Sequence, residues 1–209
     1  MPYSKNLGLV FVAIPKTGST SMIRALNNIA KNNDCSFMFR SKKGKHWSAL
    51  KLKNTLGDDE FQRCIKFSIV RNPWSYMLSR YLFTHVDFEP SEKEKARRGT
   101  TRSFHNLEFE DWVEAAWRKK RSRSSFSQLS KLVDSRGRLL LDHVGRLEKV
   151  QSTLDWVTDQ IGVDQIEMPH VNGARPGHYA KYYNKDTQQM VRDICQEDID
   201  YFGYDFEDA

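Results

Sequence analysis

Ten residues near the start of the chain, AIPKTGSTSM (13–22), place a lysine, a glycine and four hydroxyl side chains directly after an apolar run. Gly18 lets the main chain pass close to a ligand. Ser19, Thr20 and Ser21 add hydroxyl donors, and Lys16 adds a full positive charge. A helix opening at this point also presents its unsatisfied N–H groups and the positive end of its dipole. The set suits a tetrahedral anion. The order is not that of the G-x-x-x-x-G-K-[ST] loop, because Lys16 stands two residues before Gly18. No acid is placed to serve the magnesium ion that a nucleoside triphosphate kinase needs. The expected anion is therefore one managed without a metal.

A second stretch, KFSIVRNPWSYMLSRYLF (66–83), offers another anion contact. KFSIV has the composition of a strand, and Asn72–Pro73 makes an N-cap and first-turn pair for the helix that follows. Arg71 then stands at the carboxyl end of a strand, the edge where open α/β sheets take up ligands. Ser75 and Ser79 are four apart and share one helix face, so Arg71 with Ser79 can clamp a second phosphate. An imidazole suits proton removal from a hydroxyl near neutral pH. The six histidines are His46, His85, His105, His143, His170 and His178. His46, in KGKHWSAL, falls between the two anion stretches and is the first candidate for a base, with His85, just past the second helix, as the alternative.

The elements that must hold these groups alternate. LGLVFVAI (7–14) reads as a strand buried on both faces of a parallel sheet. Met22, Leu26, Ile29 and Ala30 then recur at helical spacing. After KFSIV, the positions Trp74, Met77, Leu78, Tyr81 and Leu82 line the apolar face of the next helix. LLLDHV (139–144) reads as a third strand, and Leu147, Val150, Leu154, Val157 and Ile161 as an amphipathic helix. A last helix is expected from about Asp186, with Gln189 completing a capping box and Gly203 as its stop. The alternation gives an α/β class, a central parallel sheet flanked by helices.

The chain of 209 residues fits one domain, 1–209, with a substantial core. Its net charge is +6, yet the last fourteen residues hold six acids and no base, so the preceding 195 carry +12. That balance suits an anionic partner without choosing among nucleic acid, nucleotide and acidic sugar. Arg118, Lys119, Lys120, Arg121 and Arg123 form a basic cluster, either a solvated helix end or a contact for an acidic acceptor. No nucleic-acid-binding motif accompanies it. Three cysteines, Cys35, Cys64 and Cys195, are too few and too scattered for a disulfide framework or a zinc site. No run approaches the roughly 20 apolar residues of a membrane span, and the N-terminus does not have the form of a signal peptide. A cytoplasmic protein is expected, or alternatively the soluble part of something larger.

PKTGSTS and VRNPWSYMLSRY together resemble the two signatures of sulfotransferases that use 3′-phosphoadenosine 5′-phosphosulfate (PAPS), with Arg71 and Ser79 eight apart as in that family. The likeness extends to the carbohydrate branch through Gly145–Glu148 (GRLE), His170–Asn172 (HVN), the following HYAKYY, and the DIDYFGYDF ending. It covers most of the chain and is weakest over about 85–135, the region expected to vary with the acceptor. The resemblance implies a P-loop-like sulfotransferase fold. It implies that Lys16 and the Thr17, Gly18, Ser19, Thr20 and Ser21 loop hold the 5′-phosphosulfate, that Arg71 and Ser79 hold the 3′-phosphate, and that Arg175 in NGARPG closes over the nucleotide. It implies PAPS as co-substrate, adenosine 3′,5′-bisphosphate as product, no metal, and a hydroxyl-bearing acceptor, most naturally a glycan. Lys16 and His46 are then the catalytic candidates. Two other classes compete: a P-loop nucleotide or small-molecule kinase, and a non-catalytic binder of anionic glycan or nucleic acid.

Overall fold

The computed structural model describes residues 3–33, 46–85, 107–119, 123–169 and 179–207. In chain order these form β1 (Tyr3–Ser4), β2 (Leu9–Val12), α1 (Ser19–Asn32), α2 (Ala49–Leu56), α3 (Asp58–Arg63), β3 (Ile65–Val70), α4 (Pro73–His85), α5 (Phe109–Arg118), β4 (His143–Arg146), α6 (Val150–Ile161), α7 (Lys185–Ile194) and α8 (Gln196–Phe202). The chain divides into two compact units. The first is Met1–Arg71 with Gln128–Arg175, the second Asn72–Ser127 with Pro176–Ala209.

The first unit is α/β. Its four-stranded sheet has the order β1-β2-β3-β4. β1 pairs antiparallel with β2, while β2–β3 and β3–β4 are parallel, with Val12 opposite Ser68 and Val70 opposite Arg146. Every residue of β2 is buried, as its unbroken apolar run requires. Strand side chains alternate between faces, so Leu9, Phe11, Phe67 and Ile69 share one. That face packs on Met22, Leu26 and Ile29 of α1 and on Leu154 and Val157 of α6. Phe11 and Phe67 stack with ring centroids 4.8 Å apart. Burying each such side chain contributes about 1.5–3 kcal/mol, so both helices are held to the sheet by the positions whose spacing announced them.

The second unit is helical. Trp74, Met77 and Leu78 of α4 pack with Phe109, Trp112 and Val113 of α5, Val191 and Ile194 of α7 and Ile199 of α8. The Asn72 carboxamide oxygen accepts from the main-chain N–H groups of Trp74 (3.1 Å) and Ser75 (3.3 Å), the cap expected for α4.

Three expected elements differ in detail. The third strand is His143–Arg146, not 139–144. Asp134 accepts from the amides of Arg136 (2.8 Å) and Arg138 (3.0 Å), and this turn folds the leucine run back. Leu139 forms a bridge with Val133 and the Leu140 N–H donates to Leu132, so the run makes a local hairpin before the sheet is reached. The first strand is shorter than 7–14, because Gly8 at φ +56° turns the chain back toward Tyr3–Ser4. The last helix is capped by Asn184 and Thr187, whose side chains bond reciprocally to each other's amides. It ends at Ile194, and a separate helix runs to Gly203, which at φ 62° is the expected stop.

Candidate functional site

The carboxyl ends of β2, β3 and β4 lie on one edge of the first unit's sheet, and the chemistry-bearing residues follow them. After β2 the chain makes a tight loop. The Thr17 hydroxyl is buried and donates to the carbonyl of Ile14 at 3.1 Å, which closes the turn. Lys16 adopts φ +66°, and among the described residues it is the one non-glycine at positive φ. Such a conformation costs about 1–2 kcal/mol. Gly18, at φ +73°, occupies the N-cap of α1, and no side chain caps this helix. The first helical bond runs from the Met22 N–H to the Gly18 carbonyl at 3.1 Å, so the amides of Ser19, Thr20 and Ser21 precede the ladder. The first turn carries no acid. Ser19 is buried, while Lys16, Thr20 and Ser21 are half-buried.

The loop is pressed from below by the segment after β4. A Cβ built on Gly18 would stand 2.5 Å from Cδ1 of Leu147. Gly145 is needed for a similar reason, since a Cβ there would fall 1.8 Å from the Thr153 hydroxyl of α6. The GRLE stretch thus has a packing role: its glycine seats the strand against α6 and its leucine seats the loop.

His46 lies beside this loop. Its Nδ1 is 2.8 Å from the carbonyl oxygen of Ala13. A carbonyl oxygen only accepts, so Nδ1 carries the proton and Nε2 is the basic nitrogen of the ring. Trp47 follows, half-buried, with Nζ of Lys51 5.3 Å from its ring centroid. Ser48 then caps α2 by accepting from the Lys51 N–H. His143 is different: it stacks on Trp156 at 4.4 Å inside the unit, and burial pushes its pKa below the ordinary imidazole value.

Arg71 is the first residue past the last β3–β4 pair. Its N–H donates to the Gln128 side-chain oxygen (2.9 Å), and the Gln128 amide donates back to the Arg71 carbonyl (2.8 Å). Its guanidinium Nη1 donates to the carbonyl of Lys16 at 3.3 Å. Gln128 is fully buried, and nothing in the sequence marks a glutamine 57 residues from its partner. Arg71, Lys16 and His46 are thus joined through main-chain carbonyls of one loop. Ser75 and Ser79 belong to α4 of the second unit, where both are half-buried. His85 is the last residue of α4. Arg175, the HVN stretch, His105 and His178 lie outside the described residues. Among the described residues, no cluster of His, Cys, Asp or Glu is arranged to hold a metal ion, and no helix is long and apolar enough to cross a membrane.

A strand, a glycine-pivoted loop with a lysine, and an uncapped helix start lie together at the carboxyl edge of a mostly parallel sheet, in an α/β unit. A model of the sulfotransferase family matches residues 2–205, and the chain belongs to that family. It is by membership a transferase of sulfuryl groups, acting on a hydroxyl-bearing acceptor. No curated protein and no solved structure matched the chain.

Proposed function

We propose that this sulfotransferase takes its sulfuryl group from PAPS and delivers it to a carbohydrate hydroxyl, with His46 as the base. The observation that carries the reading is the bond between His46 Nδ1 and the carbonyl of Ala13, three residues before Lys16. It fixes the ring in the tautomer a base needs and sets it beside the anion loop.

The residues present fit a 5′-phosphosulfate. A side chain at Gly18 would crowd Leu147, the helix start is uncapped, and its first turn has no acid to repel an anion. Lys16 and the amides and hydroxyls of residues 18–21 hold that group. Thr17 contributes its amide, because its hydroxyl is committed to Ile14. Arg71 takes the 3′-phosphate. Ser79 joins it in this proposal by its spacing alone, and Arg175 by the resemblance alone. Bound PAPS supplies a sulfuryl group attached to a phosphate that leaves readily. His46 accepts the acceptor's proton at Nε2, while Lys16 and the loop amides balance the charge that grows on the leaving side. A sulfuryl donor carries less negative charge than a triphosphate, so a lysine and amides suffice where a kinase needs magnesium. The carbohydrate reading rests on the resemblance carried by Gly145–Glu148 and the DIDYFGYDF ending.

Calorimetric titration with adenosine 3′,5′-bisphosphate, and separately with ATP and magnesium, tests the donor. Tight binding of the bisphosphate without metal is expected, and a preference for magnesium-ATP would make the protein a kinase. Transfer of labelled sulfate from PAPS to a panel of glycans tests the reaction. His46→Ala is expected to lower turnover by about 10²–10⁴-fold, the usual weight of a general base, with bisphosphate affinity unchanged. Equal losses in both would remove His46 from the role of base.

A further inference from the structure

We infer that Gln128 is a positioning residue for Arg71 and sets the enzyme's discrimination for a 3′-phosphorylated nucleotide; the inference rests on the assignment of Arg71 to that phosphate. Gln128 is fully buried, and its planar amide makes both bonds that a neighbouring strand would make, accepting from the Arg71 N–H at 2.9 Å and donating to the Arg71 carbonyl at 2.8 Å. The two bonds fall where the ladder stops. Val70 opposite Arg146 is the last pair of the β3–β4 register. A strand end so placed has main-chain groups that must find partners elsewhere. Here one rigid side chain supplies both, fixing the peptides on either side of the Arg71 Cα and with them the direction of its side chain. The guanidinium then reaches the Lys16 carbonyl at 3.3 Å. Arg71 is therefore held at two places, by Gln128 at its backbone and by the anion loop at its tip.

A merely structural glutamine would, when replaced, weaken every ligand of the site together. A positioning glutamine weakens the contact that Arg71 makes and spares the others. The ratio of affinities for adenosine 3′,5′-bisphosphate and adenosine 5′-phosphate separates the two, because only the first carries the phosphate assigned to Arg71. Gln128→Met keeps the volume and unbranched shape but removes both bonds. Gln128→Glu keeps the acceptor for the Arg71 N–H and removes the donor. Calorimetry on the full chain is expected to show the ratio falling by about tenfold or more in Gln128→Met, the scale of a misdirected charge-assisted hydrogen bond. A smaller fall is expected in Gln128→Glu, with affinity for adenosine 5′-phosphate little changed in both. If Gln128→Met does not fold, Gln128→Glu alone decides. An unchanged ratio in a folded variant overturns the inference, as does a parallel loss for both nucleotides. Arg71→Ala is the companion measurement. If wild type and Arg71→Ala show the same ratio, the assignment of Arg71 itself fails, a result distinct from failure at Gln128.

Discussion

Replacing Gly18 by alanine tests the shape of the loop after β2 most directly. Two costs are written in the structure. The residue sits at φ +73°, and an L-side chain in that region costs about 1–2 kcal/mol. The added carbon would also stand 2.5 Å from Cδ1 of Leu147, where carbon atoms prefer about 3.5–4.0 Å. Leu147 is half-buried and its tip can turn aside, at about 1 kcal/mol for an off-rotamer side chain. The sum is about 2–3 kcal/mol, and a chain of this length loses about 2–4 °C of melting temperature per kcal/mol. A fall of about 4–12 °C is expected. Leu147→Ala in the same chain removes the obstacle and leaves the backbone part, so the cost of Gly18→Ala should drop by about 1 kcal/mol in that background. Thermal and urea denaturation of the wild type, both single variants and the double variant measure this coupling. A melting point unmoved by Gly18→Ala, or the same loss with and without Leu147, refutes the reasoning.

Other expectations follow from neighbouring features. Lys16→Gly relieves a strained backbone and is expected to hold or raise the melting temperature by a few degrees, on the scale of about 1 kcal/mol, while sulfate transfer collapses; a clearly lower melting point contradicts the strain. Burial holds the His143 imidazole below its ordinary pKa, so as the pH falls the unfolded chain takes up that proton before the folded one. The neutral ring's contribution is whole above about pH 6.5 and erodes below it. His143→Phe keeps a ring against Trp156 with nothing to protonate, and its melting temperature is expected to fall less between pH 7 and 5; equal slopes would dismiss the linkage.

What could be read from the sequence was what is local. The strand-loop-helix of residues 9–32 and the Asn72–Pro73 cap each declare themselves within a few positions, through apolar spacing and cap chemistry. The match of the family to residues 2–205 agrees with the resemblance that those two stretches carry. Local signals also misled. The leucines of 139–141 have strand composition, but the Asp134 turn claims them for a hairpin first. Asp186 and Gln189 imitate a capping box two residues beyond Asn184 and Thr187, which form the real one. Contacts made across long stretches of chain were not legible. The tautomer of His46 depends on a carbonyl 33 residues away, and the aim of Arg71 on a glutamine 57 residues away. No periodicity or composition encodes such pairs, because they arise only once the strands have set their edge.

The pair of bonds between Arg71 and Gln128 has a topological consequence. Between them the chain leaves the sheet-bearing unit, runs through residues 72–127, and comes back to the point from which it left. The excursion is a loop with its ends pinned together, and the entropy of closing such a loop grows only with the logarithm of its length, about 0.6 kcal/mol per doubling. Lengthening the excursion by a few residues therefore adds little to the entropy of closing the clasp itself. A chain with this clasp can vary the length of what lies outside it, over the course of descent or by design, while Arg71 stays in register with the loop after β2.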